Sequence, residues 1–178
     1  MSLVLQSSGG GQITIQEPAT ASNFTQTLPA ATGTVMVSGN QPAFSAYQSS
    51  AQSITASTWT KILFQTEEFD TALAFDSTTN YRFTPQVAGY YQINAAVSSN
   101  VSALIFFASA IYKNGSLYKQ GSSYSTTTGV TPTTAVSSLV YLNGSTDYVE
   151  IYAIQASTGN TNNGIERIYV NGSMVRAA

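Results

Sequence analysis

The chain contains neither cysteine nor histidine. The first absence removes disulfide frameworks and thiolate metal sites, and leaves the redox compartment unreadable. The second removes the commonest general base and the commonest metal ligand. Charge is scarce as well. Asp, Glu, Lys and Arg make up 8% of the residues, against roughly 25% in an average soluble protein. Net charge is −2 and the basic residues are scattered, so no footprint for nucleic acid or anionic lipid is expected. No apolar run approaches the roughly 18 residues of a membrane-spanning helix, so no membrane insertion is expected. MSLVLQSSGGG has neither a basic start nor a long apolar core, which argues against a Sec signal peptide. Helical periodicity of useful length is missing from end to end.

What remains is β-pattern and hydroxyl. With 178 residues the chain can hold one core of ordinary size plus an appendage. Its organising stretch is Phe64–Val97. FDTALAFD reads as a strand, Ser77–Asn80 as a polar turn, YRFTP as a short strand ending at Pro85, and GYYQINAAV as a long strand from Gly89. In the last, Tyr91, Ile93, Ala95 and Val97 fall on one face and Tyr90, Gln92, Asn94 and Ala96 on the other. Strand side chains alternate, so the first set suits a core and the second a half-polar surface.

These residues resemble the C1q/TNF-like globular domains, whose pattern is Phe, Asn or Asp, an aromatic, Phe, then Gly-x-Tyr-x-Phe. Phe64, Asp70, Phe75, Phe83, Gly89, Tyr91 and Ile93 stand in that order with nearly that spacing. The chain departs from the pattern in three places. One extra residue lies between Phe75 and Phe83, Ile93 replaces an aromatic, and Ala95 stands where a further aromatic is usual. The resemblance runs from about Pro42 to Met174 and includes IYKNGSLY (111–118), LNGSTDYVEI (142–151) and YVNGSMV (169–175). It implies a jelly roll of two antiparallel sheets and a homotrimer, with Tyr90, Gln92 and Asn94 lining the three-fold axis. One fold hosts many functions, so the resemblance constrains fold more than activity.

Ahead of that domain, Met1–Leu5 forms a small apolar plug and SSGGG a flexible break. GQITIQEP is a short strand with Ile13 and Ile15 on one side, stopping at Pro18. Residues 19–39 are turn-forming and β-prone without a long apolar face. Thr27–Val35 (TLPAATGTV) resembles TLPAxTGTV-type segments of tailed-phage virion proteins. Residues 1–39 cannot bury enough surface to fold alone. They are expected to lie against another copy or another virion protein as an attachment arm, held through Leu3, Leu5, Ile13 and Ile15. The domains are then 1–39, the arm, and 40–178, the jelly roll.

PAFSAY opens the globular part with Phe44 inward, Ser49–Ser57 is a polar connection, and TWTKILF is a strand with Trp59 as a core or rim anchor. ALIFFASAIYKNG (103–115) is apolar on both faces, as a central or interface strand would be. Asn114-Gly115, Asn143-Gly144 and Asn171-Gly172 all read as turns. Each is followed by Ser and is formally a glycosylation sequon, as are the sites at Asn23 and Asn100. Residues 121–134 and 157–164 read as long polar loops. Many short strands with regular turns argue a sandwich or barrel.

No catalytic constellation emerges, and the chain is expected not to be an enzyme. Glu67, Glu68, Asp70 and Asp76 form the densest carboxylate group, but they flank short strands and read as solvated charges. No cofactor is expected. A calcium ion is the one that the resemblance leaves room for, since some C1q-like trimers hold one, although the Asp-x-Asp-x-Asp-Gly loop is missing. Serine or threonine nucleophiles would have no base. Tyrosine occurs 11 times and suits protein–protein interfaces, burying a ring while keeping a hydroxyl for water or a partner. The two resemblances together imply a trimeric surface or fibre protein of a phage virion, meeting host-surface glycan or protein or decorating a capsid. A carbohydrate-binding module with tyrosines stacked on sugar rings is the alternative.

Overall fold

The computed structural model describes residues 2–16, 19, 25, 41–102, 106–125 and 131–178. The chain divides into two units, residues 1–35 and 36–178. The Thr27–Val35 segment and Asn23 lie outside the described residues.

In the first unit, β1 (Ser2–Gln6) and β2 (Gln12–Gln16) pair antiparallel. The expected flexible break between them is instead a hairpin turn. Ser7 N donates to Gly11 O at 2.8 Å and Gly10 N to Ser7 O at 3.1 Å. The glycines give the backbone room to reverse, and these bonds hold the reversal.

The second unit contains β3 (Ala43–Tyr47), β4 (Ser53–Ile54), β5 (Thr60–Lys61), β6 (Thr66–Asp70), β7 (Phe75–Asp76) and β8 (Arg82–Phe83). It continues with β9 (Gly89–Ser98), β10 (Phe107–Lys113), β11 (Ser116–Tyr124), β12 (Thr133–Leu142), β13 (Val149–Gln155), β14 (Gly159–Asn160) and β15 (Tyr169–Ala177). One sheet runs β12-β9-β15-β3-β6, the other β11-β10-β13-β8-β7 with β5 also on β13, and β14 pairs β4. Every named ladder is antiparallel. Neighbours far apart in sequence, such as β9 beside β15 and β10 beside β13, give the crossed connectivity of a jelly roll.

The core lies between the sheets, where alternation sends every second side chain. Tyr91, Ile93, Ala95 and Val97 of β9 are all buried, as expected. Phe44, inward on β3, stacks on Phe75 at 5.1 Å and on Phe83 at 4.3 Å, and Phe83 meets Tyr91 edge-on at 5.3 Å. The aromatic pattern read from the sequence is thus one contiguous cluster. Gly89, the glycine of the pattern, is needed for lack of space against β15: a Cβ there would lie 2.5 Å from Arg176 O.

Four local expectations are corrected. FDTALAFD is not one strand, because the Asp70 carboxylate accepts from Ala72, Ala74 and Phe75 N, folding residues 71–74 into a bend with Leu73 at φ 52°. TWTKILF is strand only at Thr60–Lys61; Leu63 N donates to the Gln52 side chain instead of a neighbouring strand. The polar loop from 121 is shorter than expected, since Gly121–Tyr124 extend β11 and Thr133–Thr134 begin β12. Asn171-Gly172 is no turn but mid-strand in β15, paired on both sides. A Cβ on Gly172 would lie 2.7 Å from Ile93 Cδ1 and 2.8 Å from Phe44 Cε1, so the core excludes one. Asn114-Gly115 is the turn expected, with φ of 52° and 76°.

The chain joins and leaves the sandwich at the same end. Gln41 Nε2 donates to Met174 O, Met174 N donates to Pro42 O at 2.9 Å, and Ala178 N to Ala88 O at 3.0 Å.

Candidate functional site

The outward face of the five-stranded sheet gathers the residues singled out on β9. Alternation and register fix its composition. Tyr90, Gln92 and Asn94 lie opposite Tyr141, Leu139 and Ser137 of β12, and Asn94 also faces Asn171 of β15. The centre is a closed polar net. Gln92 Nε2 donates to Ser137 Oγ at 2.8 Å and to Asn94 Oδ1 at 3.1 Å. Ser137 Oγ donates to Asn94 Oδ1 at 2.7 Å, and Asn94 Nδ2 to Asn171 Oδ1 at 3.1 Å. The net ties β12, β9 and β15 together without using any charge.

An apolar rim adjoins that centre. Tyr90 is 40% exposed, Leu139 47% and Tyr141 42%, with the two tyrosine rings 5.4 Å apart. Val175, at the bulge of β15, and Phe69 on β6, opposite Ser45, are exposed as well. Aromatic and aliphatic groups around a neutral, internally satisfied polar centre are the composition of a protein–protein contact surface. Sequence reasoning found the β9 members and missed Leu139, Tyr141, Ser137 and Asn171. The alternation in TTAVSSLVYL could have marked Ser137, Leu139 and Tyr141 as outward, but no local signal pairs them with β9.

Asp70 and Asp76 hold backbone turns, and Glu67 and Glu68 hold serine hydroxyls. Beyond the bend at Asp70, Asp76 accepts from Thr79 N at 2.8 Å and Thr78 N at 3.0 Å. Those backbone donors hold its carboxyl well below the usual carboxylate range. Glu68 accepts from Ser45 Oγ at 2.7 Å and Glu67 from Ser77 Oγ at 2.6 Å. Among the described residues, no three carboxylates converge on a point that a cation could occupy.

A second cluster lies on the outward face of the other sheet. Trp59 stands outside the core, edge-on to Tyr112 at 6.0 Å, and Tyr112 stacks on Tyr152 at 4.0 Å. Beside them Lys61 Nζ and Glu150 Oε1 are 2.6 Å apart, and the Tyr152 hydroxyl reaches Glu150 Oε2 at 3.5 Å. Burial raises the Tyr112 hydroxyl, while burial and then the Glu150 charge raise that of Tyr152. Tyr91 differs from both: it is wholly in the core, donates to Val87 O at 2.7 Å, and burial pushes it up to about 12. The N-terminal residues Leu3, Leu5, Ile13 and Ile15 are brought together by the hairpin register, Leu3 opposite Ile15 and Leu5 opposite Ile13.

No family model matches the chain, and no curated protein matches it in sequence. Solved structures do resemble it. Eiger TNF from S. frugiperda is 8% identical, with 78% of this chain and 94% of that chain covered and a TM-score of 0.62. The globular domain of the zebrafish complement 1qA protein is 15% identical, covering 78% and 100%, with a TM-score of 0.58. PRD1 vertex protein P5 is 15% identical, covering 76% and 97%, with a TM-score of 0.52. The sandwich is therefore a C1q/TNF-like jelly roll, and at these identities the likeness shows the fold alone.

Proposed function

We propose that the chain is a non-catalytic structural protein of a tailed-phage virion surface. In this reading it is a homotrimer of jelly-roll heads, attached through the N-terminal segment, that serves host attachment or capsid decoration. The observation that carries self-association is the outward face of the five-stranded sheet, where Tyr90, Leu139 and Tyr141 stay exposed around the neutral net of Gln92, Asn94, Ser137 and Asn171. The resemblance to C1q/TNF-like domains supports the three-fold count. Two features support the particle: the fold is shared with PRD1 vertex protein P5, and TLPAATGTV at 27–35 resembles phage virion segments. Light scattering behind a sizing column should give three times the 18.8 kDa chain, with and without chelator. A monomer at micromolar concentration overturns the trimer. Mass spectrometry of purified particles tests the location, and absence of the chain from them overturns it.

The cluster of Trp59, Tyr112 and Tyr152 favours a second reading, a carbohydrate-binding module. Partly exposed rings offer a sugar a stacking surface, with the partly exposed Lys61 beside them as a hydrogen-bond donor. A glycan array separates the readings: binding lost in Trp59→Ala supports the module, and a blank array removes it.

A further inference from the structure

We infer that the apolar face of the N-terminal hairpin packs against the same face of other copies of this chain. Positions 3, 5, 13 and 15 share that face by register. Leu5, Ile13 and Ile15 on it are 50%, 66% and 56% exposed. A two-stranded hairpin is marginal in water by itself and needs a covered face. The opposite face carries Gln6, Gln12, Thr14 and Gln16, with Val4, which suits solvent.

Three observations select a copy of the same chain as the occupant. Residues 1–16 contain no charged side chain, so nothing there complements a charged partner and nothing repels an identical hairpin. The apolar face has two unlike rows, leucine on β1 and isoleucine on β2. The leucine row of one copy can meet the isoleucine row of the next, a head-to-tail contact of the kind that forms a ring when the rotation between copies closes. The third observation concerns the tether, and it rests on the trimer proposed above. The chain joins the sandwich beside Met174 and runs into β3, in the sheet that carries the self-association face. Three hairpins tethered to one trimer meet in an intramolecular encounter, which raises their effective concentration over that of free hairpins.

The chain has no cysteine, so introduced thiols report proximity without background. Full-length chains carrying Leu5→Cys, with one affinity tag, are co-expressed with chains carrying Ile13→Cys, with another, and oxidised mildly. The control pair, Gln6→Cys with Thr14→Cys, places the thiols on the polar face. The expected result is a covalent heterodimer in the Leu5/Ile13 pair, at least tenfold above the control. Light scattering on the same samples separates the two ideas. A trimer in which both pairs cross-link equally, or neither does, overturns the hairpin contact and leaves the trimer standing. A monomer overturns both.

Discussion

Tyr90 and Tyr141 stand directly opposite each other across β9 and β12, with ring centroids 5.4 Å apart, on a face that the sandwich itself leaves uncovered. Next to them in the same ladder are Gln92 and Leu139. Gln92→Glu loses the Nε2 donor to Ser137 and Asn94 and so loosens the net, but it should keep the monomer fold, because the side chain is only partly buried. In the proposed trimer it should weaken assembly, because three like charges would meet near the axis. Sedimentation should show dissociation at least tenfold easier than wild type, partly reversed by salt. An unchanged trimer would move the axis away from β9.

Ile93→Asp tests the other face. Ile93 is fully buried within the core cluster. An unpaired charge there costs several kcal/mol, comparable with a whole domain stability of about 5–15 kcal/mol. The variant should show no cooperative thermal transition by circular dichroism, while Gln92→Glu one residue away retains one.

These two neighbours also show what the sequence made legible. The alternation of Tyr91, Ile93, Ala95 and Val97 against Tyr90, Gln92 and Asn94 is a local signal, and a strand obeys it wherever it sits. Pairing is not local: Leu139 and Tyr141 join the same face only because β12 lies beside β9. Asn171-Gly172 and Asn114-Gly115 are the same dipeptide before the same residue. Asn114-Gly115 is a turn, whereas Asn171-Gly172 lies mid-strand because β3 and β9 pair with it on both sides, and Gly172 is needed there because Phe44 and Ile93 occupy the space of a Cβ. The bend after Asp70 was hidden similarly, since three backbone donors converge on its carboxylate within a stretch that reads as continuous strand.

Gly172→Ala should therefore destabilise through overpacking, by about 1–3 kcal/mol. Ile93→Val removes the Cδ1 atom that a new methyl would strike at 2.7 Å, and alone should cost about 0.5–1.5 kcal/mol. The pair should cost less than the sum, since the second change relieves part of the first. Denaturant unfolding of the four proteins measures the coupling. Strict additivity would mean that Phe44 or the Gln92 carbonyl sets the clash.

Asp76 predicts an acid limb. Its folded carboxyl is depressed from the ordinary 3.8, chiefly by the backbone N–H groups of Thr79 and Thr78. A depressed group contributes stability that is present above the unfolded pKa and lost as pH falls toward the folded one. Stability should thus decline below about pH 4, and Asp76→Asn should flatten part of that decline while lowering stability at neutral pH. Melting curves between pH 2 and 7 check it. Parallel curves for the two proteins would show that the turn carries no linkage.

The final prediction concerns residues 1–39. Leu5, Ile13 and Ile15 of the hairpin's apolar face remain mostly exposed, as does Val4 behind it. Ordering a residue costs about 1–2 kcal/mol, more than these few side chains return unless a further surface covers them. The jelly-roll core, by contrast, is complete within the second unit among the described residues. It runs from Phe44 to Met174 and includes the aromatic cluster of Phe44, Phe75, Phe83 and Tyr91. Deleting residues 1–39 should leave a folded, trimeric head, with a melting transition close to wild type, that no longer incorporates into particles. Complementing a phage that lacks the protein with the truncated chain, then probing purified virions, makes the test. Incorporation at the normal level would assign attachment to the jelly roll and free the N-terminal segment for another role.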